Sequence, residues 1–340
     1  MQTTHPPNPQ QHEHSFVNMD KLNRDHLTIL PLPERQHKMT VADVYPLDVE
    51  TPRYENPHLS AVADCIVEAH HRGKQVIWMM GAHVMRRGNS HFIIDLMERG
   101  IITHLATNGA CAIHDFELAH IGATLEDVED YIWDGKFGNW EETGRYLNAA
   151  IVRGYRDKIG FGEAVGRLIQ EGEMGISFPH RDVSMFAAAY RLGIPFTVHK
   201  GIGYDIIDQH PAADYAAMGW TTGEDFLRFA HSVSQLEDGV FLNLGSAVMG
   251  PEVYLKSLSM ARNIAAQHGE EIRHFTTANF DLIDFSDFQD EGAPTDAHYY
   301  HRPKKTILIR TVKDGGEGYH ISGDFSVTVP QLYRLIIASV

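Results

Sequence analysis

Val76-Ile77-Trp78-Met79-Met80-Gly81-Ala82-His83 is a short, uninterrupted apolar run that stops in a small-residue turn. Such a run fits a strand buried on both faces, and a glycine directly after it lets the chain turn toward a helix. The event recurs along the sequence. Residues 101–106 run into Thr107-Asn108-Gly109-Ala110, residues 194–199 into Gly201-Ile202-Gly203, residues 240–244 into Gly245-Ser246-Ala247, and residues 272–276 into Thr276-Thr277-Ala278. Residues 306–312 supply one more candidate strand. Between these runs, residues 92–100, 141–154, 163–171 and 184–191 read as helices. So does a segment from Thr124 toward Trp133, with Asp127 placed as in a capping box, and another over residues 251–267, which opens on Pro251 and Glu252. The alternation predicts an α/β fold, a mostly parallel sheet with helices on both faces.

With 340 residues, 43% of them apolar, the chain is long enough to bury a full core without covalent staples. Cys65 and Cys111 make neither a disulfide framework nor a zinc site by themselves, so a reducing cytoplasm is the expected compartment. Acidic residues number 45 against 29 basic, a net charge of -16, which argues against a nucleic-acid partner and accords with cationic ligands such as polyamines. No stretch approaches the ~18 apolar residues of a membrane-spanning helix, and the start of the chain lacks the pattern of a secretory signal. Residues 1–40, with Pro6, Pro7, Pro9 and several histidines, show little apolar periodicity. They read as a flexible tail or an arm lying on a neighbour, ahead of a single α/β domain over residues 41–340. His12-Glu13-His14 reads as solvated tail before it reads as a metal grip, and no metal is expected.

In an open parallel sheet the loops at the carboxyl ends of the strands line the ligand crevice, and small residues there let backbone N–H groups approach a phosphate. Tight strand-to-helix turns also call for glycine on conformational grounds alone. No Gly-x-Gly-x-x-Gly follows the first strand, and no Walker loop is present. Composition and spacing thus stop at an α/β protein with a crevice suited to a nucleotide.

Taken in order over residues 57–340, the loops resemble the deoxyhypusine synthase family. The resemblance implies a Rossmann-like, doubly wound fold that binds NAD. Gly81-Ala82 through Ser90 is similar to the family's first nucleotide-contacting loop. Thr107-Asn108-Gly109-Ala110 resembles its Thr-Ala-Gly-Gly turn, and Asp115-Phe116 its Asp-Phe. Where the family has two acidic residues before that aspartate, this chain has Ile113 and His114, a departure at a polyamine-recognising position. Phe178-Pro179-His180-Arg181-Asp182-Val183-Ser184 matches a Pro-x-x-x-Asp-x-Ser segment, which puts Asp182 and Ser184 near amine and nicotinamide; Asp182 also reads as a helix N-cap. Gly245-Ser246 resembles the glycine-rich turn, and Glu252 stands where the family has a histidine pair. Thr277-Ala278 resembles an Asn-Thr-Ala turn. The acidic Gly-Ala loop over residues 290–293 leads to Asp296, an implied substrate contact, and Asp324-Phe325 stands in an Ala-Asp-Ala-Ser-like turn.

Tyr299-Tyr300-His301-Arg302-Pro303-Lys304-Lys305 takes the place of the family's Trp-Gly-Lys, whose lysine accepts the aminobutyl group as an imine. Lys305 or Lys304 is the implied counterpart, with Lys305 the expected nucleophile and Glu252 a carboxylate partner for the amine. A lysine of pKa about 10.4 needs burial or nearby cations to become nucleophilic. The implied activity is aminobutyl transfer from a polyamine such as spermidine to an amine acceptor, a protein lysine among the candidates, by a homotetramer. Two rivals remain: a net NAD-dependent oxidoreductase acting on an amine or amino acid, and an inactive NAD-binding homologue.

Overall fold

The structure, a computed structural model, describes residues 21–284 and 288–340. His12, Glu13 and His14 lie outside the described residues. Numbering only the main sheet, the strands are β1 Val76–Met80, β2 His104–Asn108, β3 Phe196–His199, β4 Val240–Leu244, β5 Thr276–Asp281 and β6 Glu317–Ser322. All neighbours run parallel, in the order β3-β2-β1-β4-β5-β6. This is the doubly wound arrangement of dinucleotide-binding sheets, whose winding reverses between β1 and β4. The helices are α1 Pro57–His71, α2 Ala82–Arg86, α3 Ser90–Glu98, α4 Gly109–Ile121, α5 Val128–Ile132, α6 Glu141–Asp157, α7 Phe161–Glu171, α8 Met185–Leu192, α9 Tyr215–Ser234, α10 Met249–Gln267 and α11 Phe325–Ile337.

The two faces of the sheet differ in chemistry. On one, Val76, Trp78, Met80, Leu105, Val198, Leu242, Leu244, Phe280 and Ile321 meet apolar side chains of α1, α3, α4, α6, α7, α8 and α11. On the other, Ile77, Met79, Ala106 and Phe241 meet α9 and α10. Strand pairing adds a row of buried polar residues to that second face, among them His104, Thr197, Asn243, Thr277, Asn279 and His320. They bond to each other and to the helices above: His104 reaches Ser232 of α9 at 2.7 Å and Thr197 at 2.9 Å, and Asn243 donates to Asn279 at 2.7 Å. Burial drives the His104 and His199 imidazoles down to about 3, with His199 adding repulsion at His104, so both are neutral acceptors and donors in this row.

The edge strand β3 is closed by side chains. Asp225 of α9 accepts from Val198 N at 2.8 Å, and Thr222, one turn earlier, donates to Val198 O at 2.8 Å. Asp225 also accepts from Gly162 N in the first turn of α7 at 2.9 Å, and burial pushes its carboxyl up to about 7.

Several sequence expectations shift. Residues 306–312 do not form a strand: a π-helix, Lys304–Arg310, occupies them and buries Ile307 and Leu308 against the second face. The sixth strand is Glu317–Ser322, whose Gly318, Tyr319 and His320 hide an apolar signal. Of residues 272–276 only Thr276 is in a strand, so Thr277 and Ala278 lie inside β5 instead of in a turn after it. Asp127, not Thr124, caps α5, accepting from Glu129 N and Asp130 N, while Thr124 pairs with Met39 in a two-stranded ladder. The described part of the expected arm lies on its own chain. Arg24 donates to the carbonyls of Asp208, His210 and Ala213, and Arg35 forms a buried bidentate pair with Glu117. Apolar periodicity cannot register a segment held by arginines.

Candidate functional site

The carboxyl ends of the strands carry the small-residue turns. Gly81, after β1, donates to Leu244 O at 2.9 Å, and Gly245, after β4, donates to Phe280 O at 3.0 Å. A Cβ on Gly81 would stand 2.5 Å from the Gly245 carbonyl oxygen, and Gly245 itself has φ of 63°. The two turns therefore touch at the point where the winding reverses, where a dinucleotide's phosphates would be approached by backbone. Asn243 braces the second turn from below, donating to Ser246 O at 3.0 Å, and Ser246 Oγ accepts from Gly250 N at 2.8 Å.

Beside this point Asn108 caps α4, its Oδ1 accepting from Cys111 N at 3.1 Å, with Thr107 buried behind it and bonded to Met80 O. After β6, Asp324 caps α11 and receives Arg87, the C-cap of α2, on both oxygens, at 3.0 and 2.8 Å. Partial burial works against the Asp324 charge, but the bonds from Ser326 and Arg87 hold its carboxyl below the usual range. Phe325 lies against Gly245, and its carbonyl accepts from Asn89. Gly81, Ala82, Thr107, Asn108, Gly109, Gly245, Ser246, Asp324 and Phe325 thus gather along one edge.

The lysine segment enters from the same edge. His301 Nε2 is 3.1 Å from Asp281, the last residue of β5, and Arg302 is 3.3 Å from Glu252 in the first turn of α10. Glu252 also pairs with Lys256; that cation first and Arg302 second hold its carboxyl below the ordinary range, which makes it a weak base. Lys305 and Lys304 are both buried in the first turn of the π-helix. The Lys305 ammonium sits 3.0 Å from the Tyr299 ring centroid and 3.9 Å from Glu291, surroundings that attract a cation.

Other expected site residues are elsewhere. Asp182 is exposed on a short turn whose His180 bonds to Ala119, near the far end of α4 from the crevice, and Ser184 is the N-cap of α8 in its place. Asp115 is buried between α4 and α8, accepting from Ser184 Oγ and, at 2.8 Å, from Met185 N; burial pushes its carboxyl up to about 7. His114 faces Thr124 at 2.8 Å and is driven down to about 4 by burial. Thr277 donates to Ile307 O under the π-helix, with Ala278 buried next to it, and Asp296 is exposed on a surface turn, accepting from Ala293 N.

Sequence reasoning also passed over a cluster after β3. Lys200 is buried and paired with Asp208, and Asp205 lies 3.6 Å from its Nζ. A charged triplet in a glycine loop has no periodic signature; the excess of acid over base within residues 200–208 is the available hint.

The fold and this edge define the class: a doubly wound, parallel α/β domain of the dinucleotide-binding type. No family model matches the chain, and the search of curated proteins yields no match. Among solved structures it resembles ArgZ, an arginine dihydrolase from the ornithine-ammonia cycle in cyanobacteria, at 14% identity and TM-score 0.50, over 82% of this chain and 32% of that one. It also resembles AgrE in ternary complex with ornithine and NAD+, at 14% identity and TM-score 0.45, over 85% of this chain and 34% of that one. A putative deoxyhypusine synthase from Entamoeba histolytica aligns at 10% identity and TM-score 0.39, over 83% of this chain and 87% of that one. The chain spans about a third of the length of the first two. At 14% identity the likeness to ArgZ bears on fold alone. Among the described residues no helix is long and apolar enough to cross a membrane.

Proposed function

We propose that the crevice where Gly81 and Gly245 meet binds NAD and that the chain uses it for hydride chemistry on an amine. The observation that carries this is the strand order, with two glycine turns in contact at its reversal point. Gly81, Gly245 and Ser246 would hold the phosphates by backbone, and Arg87 and Asp324 would border the nicotinamide half. When bound, NAD would supply a hydride acceptor and donor. Lys304, Lys305 and Glu252 enter the same edge near Asp281, which is why an amine is the substrate class preferred.

Two readings of the chemistry remain. In the transferase reading the donor amine is oxidised to an imine, a lysine displaces the departing amine and holds the carbon chain as its own imine, and an acceptor amine takes that chain before hydride returns. Lys304 suits the lysine role better than Lys305, because no ion pair or hydrogen bond engages it among the described residues, whereas Tyr299 and Glu291 engage Lys305. The oxidoreductase reading, in which hydride stays on the cofactor, is favoured by the commitment of Glu252 to Lys256 and Arg302. A polyamine such as spermidine as donor and a homotetramer as the assembly belong to the first reading.

Calorimetry with NAD tests the shared part, and no binding would remove it. Incubation with NAD and an amine panel separates the two readings: stoichiometric NADH supports the oxidoreductase, and a transferred alkyl group without net NADH supports the transferase. In the second case borohydride should fix substrate carbon to Lys304, and Lys304→Arg should abolish the adduct while leaving NAD affinity within about twofold. Wild-type turnover by Lys304→Arg and by Lys305→Arg would overturn the imine step.

A further inference from the structure

After β3 the chain turns through Gly201 and Gly203 and brings Asp205 back onto the first residue of α4. A Cβ at Gly109 would collide with the Asp205 carboxylate, so this group lies directly on the end of β2. Its side chain is 8% exposed, and its Oδ2 has no hydrogen-bond partner. Lys200, 3.6 Å away, is its ion-pair partner but makes its close hydrogen bond to Asp208. A buried acceptor without a donor is costly. The Asp205 residue borders a cavity of about 830 Å³ that Ile132, Phe137, Ile202, Gln209 and Tyr215 also line.

In sheets of this strand order the adenosine ribose of a dinucleotide lies at the end of β2, where an acidic residue accepts its hydroxyl. The residue at that point here is Asn108, and its side chain is used to cap α4. We infer that Asp205, delivered from the β3 loop, is the acceptor for the ribose 2′-hydroxyl of an adenine nucleotide, whose base lies against Phe137 and Tyr215 in this cavity. The choice of nucleotide rests on the NAD reading above; the site itself does not. Charge favours a hydroxyl over an alkylammonium. Lys200 compensates Asp208, the Arg24 guanidinium offsets Asp205, and Lys21 and Asp25 of the lining offset each other, so no net negative field is left to recruit a polyamine. A 2′-phosphate would meet the carboxylate with like charge, so the site selects NAD over NADP.

Calorimetry on the full chain with AMP, 2′-deoxy-AMP, NAD, NADP and putrescine tests this. Loss of one hydrogen bond to a charged group should weaken 2′-deoxy-AMP about tenfold relative to AMP, and NADP should bind more weakly than NAD by at least as much. Asp205→Asn should bring each pair to within about twofold, with melting temperature as the check on folding; the wild-type AMP comparison needs no variant. Equal binding of AMP and 2′-deoxy-AMP, no AMP binding, or loss of putrescine binding alone in Asp205→Asn would overturn the inference. NAD binding that is indifferent to Asp205→Asn would overturn it while leaving the crevice reading intact, and AMP binding without NAD binding would do the reverse.

Discussion

The two faces of the sheet solve the same burial problem with different materials. The face under α1, α4 and α11 is filled by Trp78 and by Met80, Leu105 and Phe280, of which the last three need only volume. The face under α9 and α10 carries His104, Thr197, Asn243 and Asn279, each of which needs a partner at a fixed distance and angle. An apolar layer tolerates small shifts, whereas a hydrogen-bonded row fixes one register and is costly when any member is missing. That row also reaches the crevice, because Asn243 supports the Gly245-Ser246 turn. Stability should therefore depend most on the first face and ligand affinity on the second.

The largest expected effect lies on the apolar face. Trp78→Ala empties a fully buried ring site and should cost about 3–5 kcal/mol in denaturant unfolding. A loss below ~1 kcal/mol would mean that this layer is not close-packed. On the polar face Asn243→Leu should cost less, about 1–3 kcal/mol, by stranding Asn279 and the Ser246 carbonyl. It should also weaken NAD about tenfold or more, which Trp78→Ala should not do in the fraction that remains folded. Equal effects of both variants on NAD would erase the distinction between the faces.

Acidification should separate individual buried groups by sign. His104 and His199 titrate in the fold near 3, well below 6.5, so the unfolded chain binds more protons and their contribution, complete above pH 6.5, is lost as pH falls toward 3. Asp115, at about 7 in the fold against 3.8, acts oppositely: its contribution is complete below pH 3.8 and is lost as pH rises through 7. His104→Gln should flatten the acid limb of a stability curve, and Asp115→Asn should flatten the decline between pH 4 and 7. The same slopes in both variants would contradict these assignments. The smallest expected change is Thr222→Val, about 1 kcal/mol for one bond to Val198 O.

The contrast also explains what was legible in the sequence. Val76–Met80 and Val240–Leu244 were readable because nearly all their buried side chains are apolar, Asn243 being the exception, and their glycine turns followed from them. Residues 306–312 carry the same apolar signal, yet they sit over the polar face as a π-helix, a local form that apolar content does not distinguish from a strand. Glu317–Ser322 was invisible for the converse reason: it pairs with β5, but Glu317, Gly318 and His320 break up the apolar run around Tyr319 and Ile321. At the site, the turns after β1, β2 and β4 could be found from glycine and asparagine at strand ends, whereas that after β6 came from the family resemblance alone. Asp205 could not, since its position depends on a loop folding back onto another strand's helix. Asp182 and Ser184 were matched by pattern, but in the structure Ser184 caps α8 and Asp182 faces solvent.

Thr222 and Asp225 have a consequence for how the molecule behaves in a crowd. An edge strand with free N–H and C=O groups is a template onto which another chain's strand can add, and sheets with such edges are prone to self-association. At Val198 both groups are taken, one by a hydroxyl and one by a carboxylate from a single turn of α9. The helix thus imitates the missing neighbour strand at this residue. Because α9 is continuous with the core through Phe229 and Val233, the guard cannot swing away without opening the layer beneath it. Strand addition at Val198 is blocked for as long as α9 stays in place, and pairing through this residue would have to begin from an unfolded or partly opened chain.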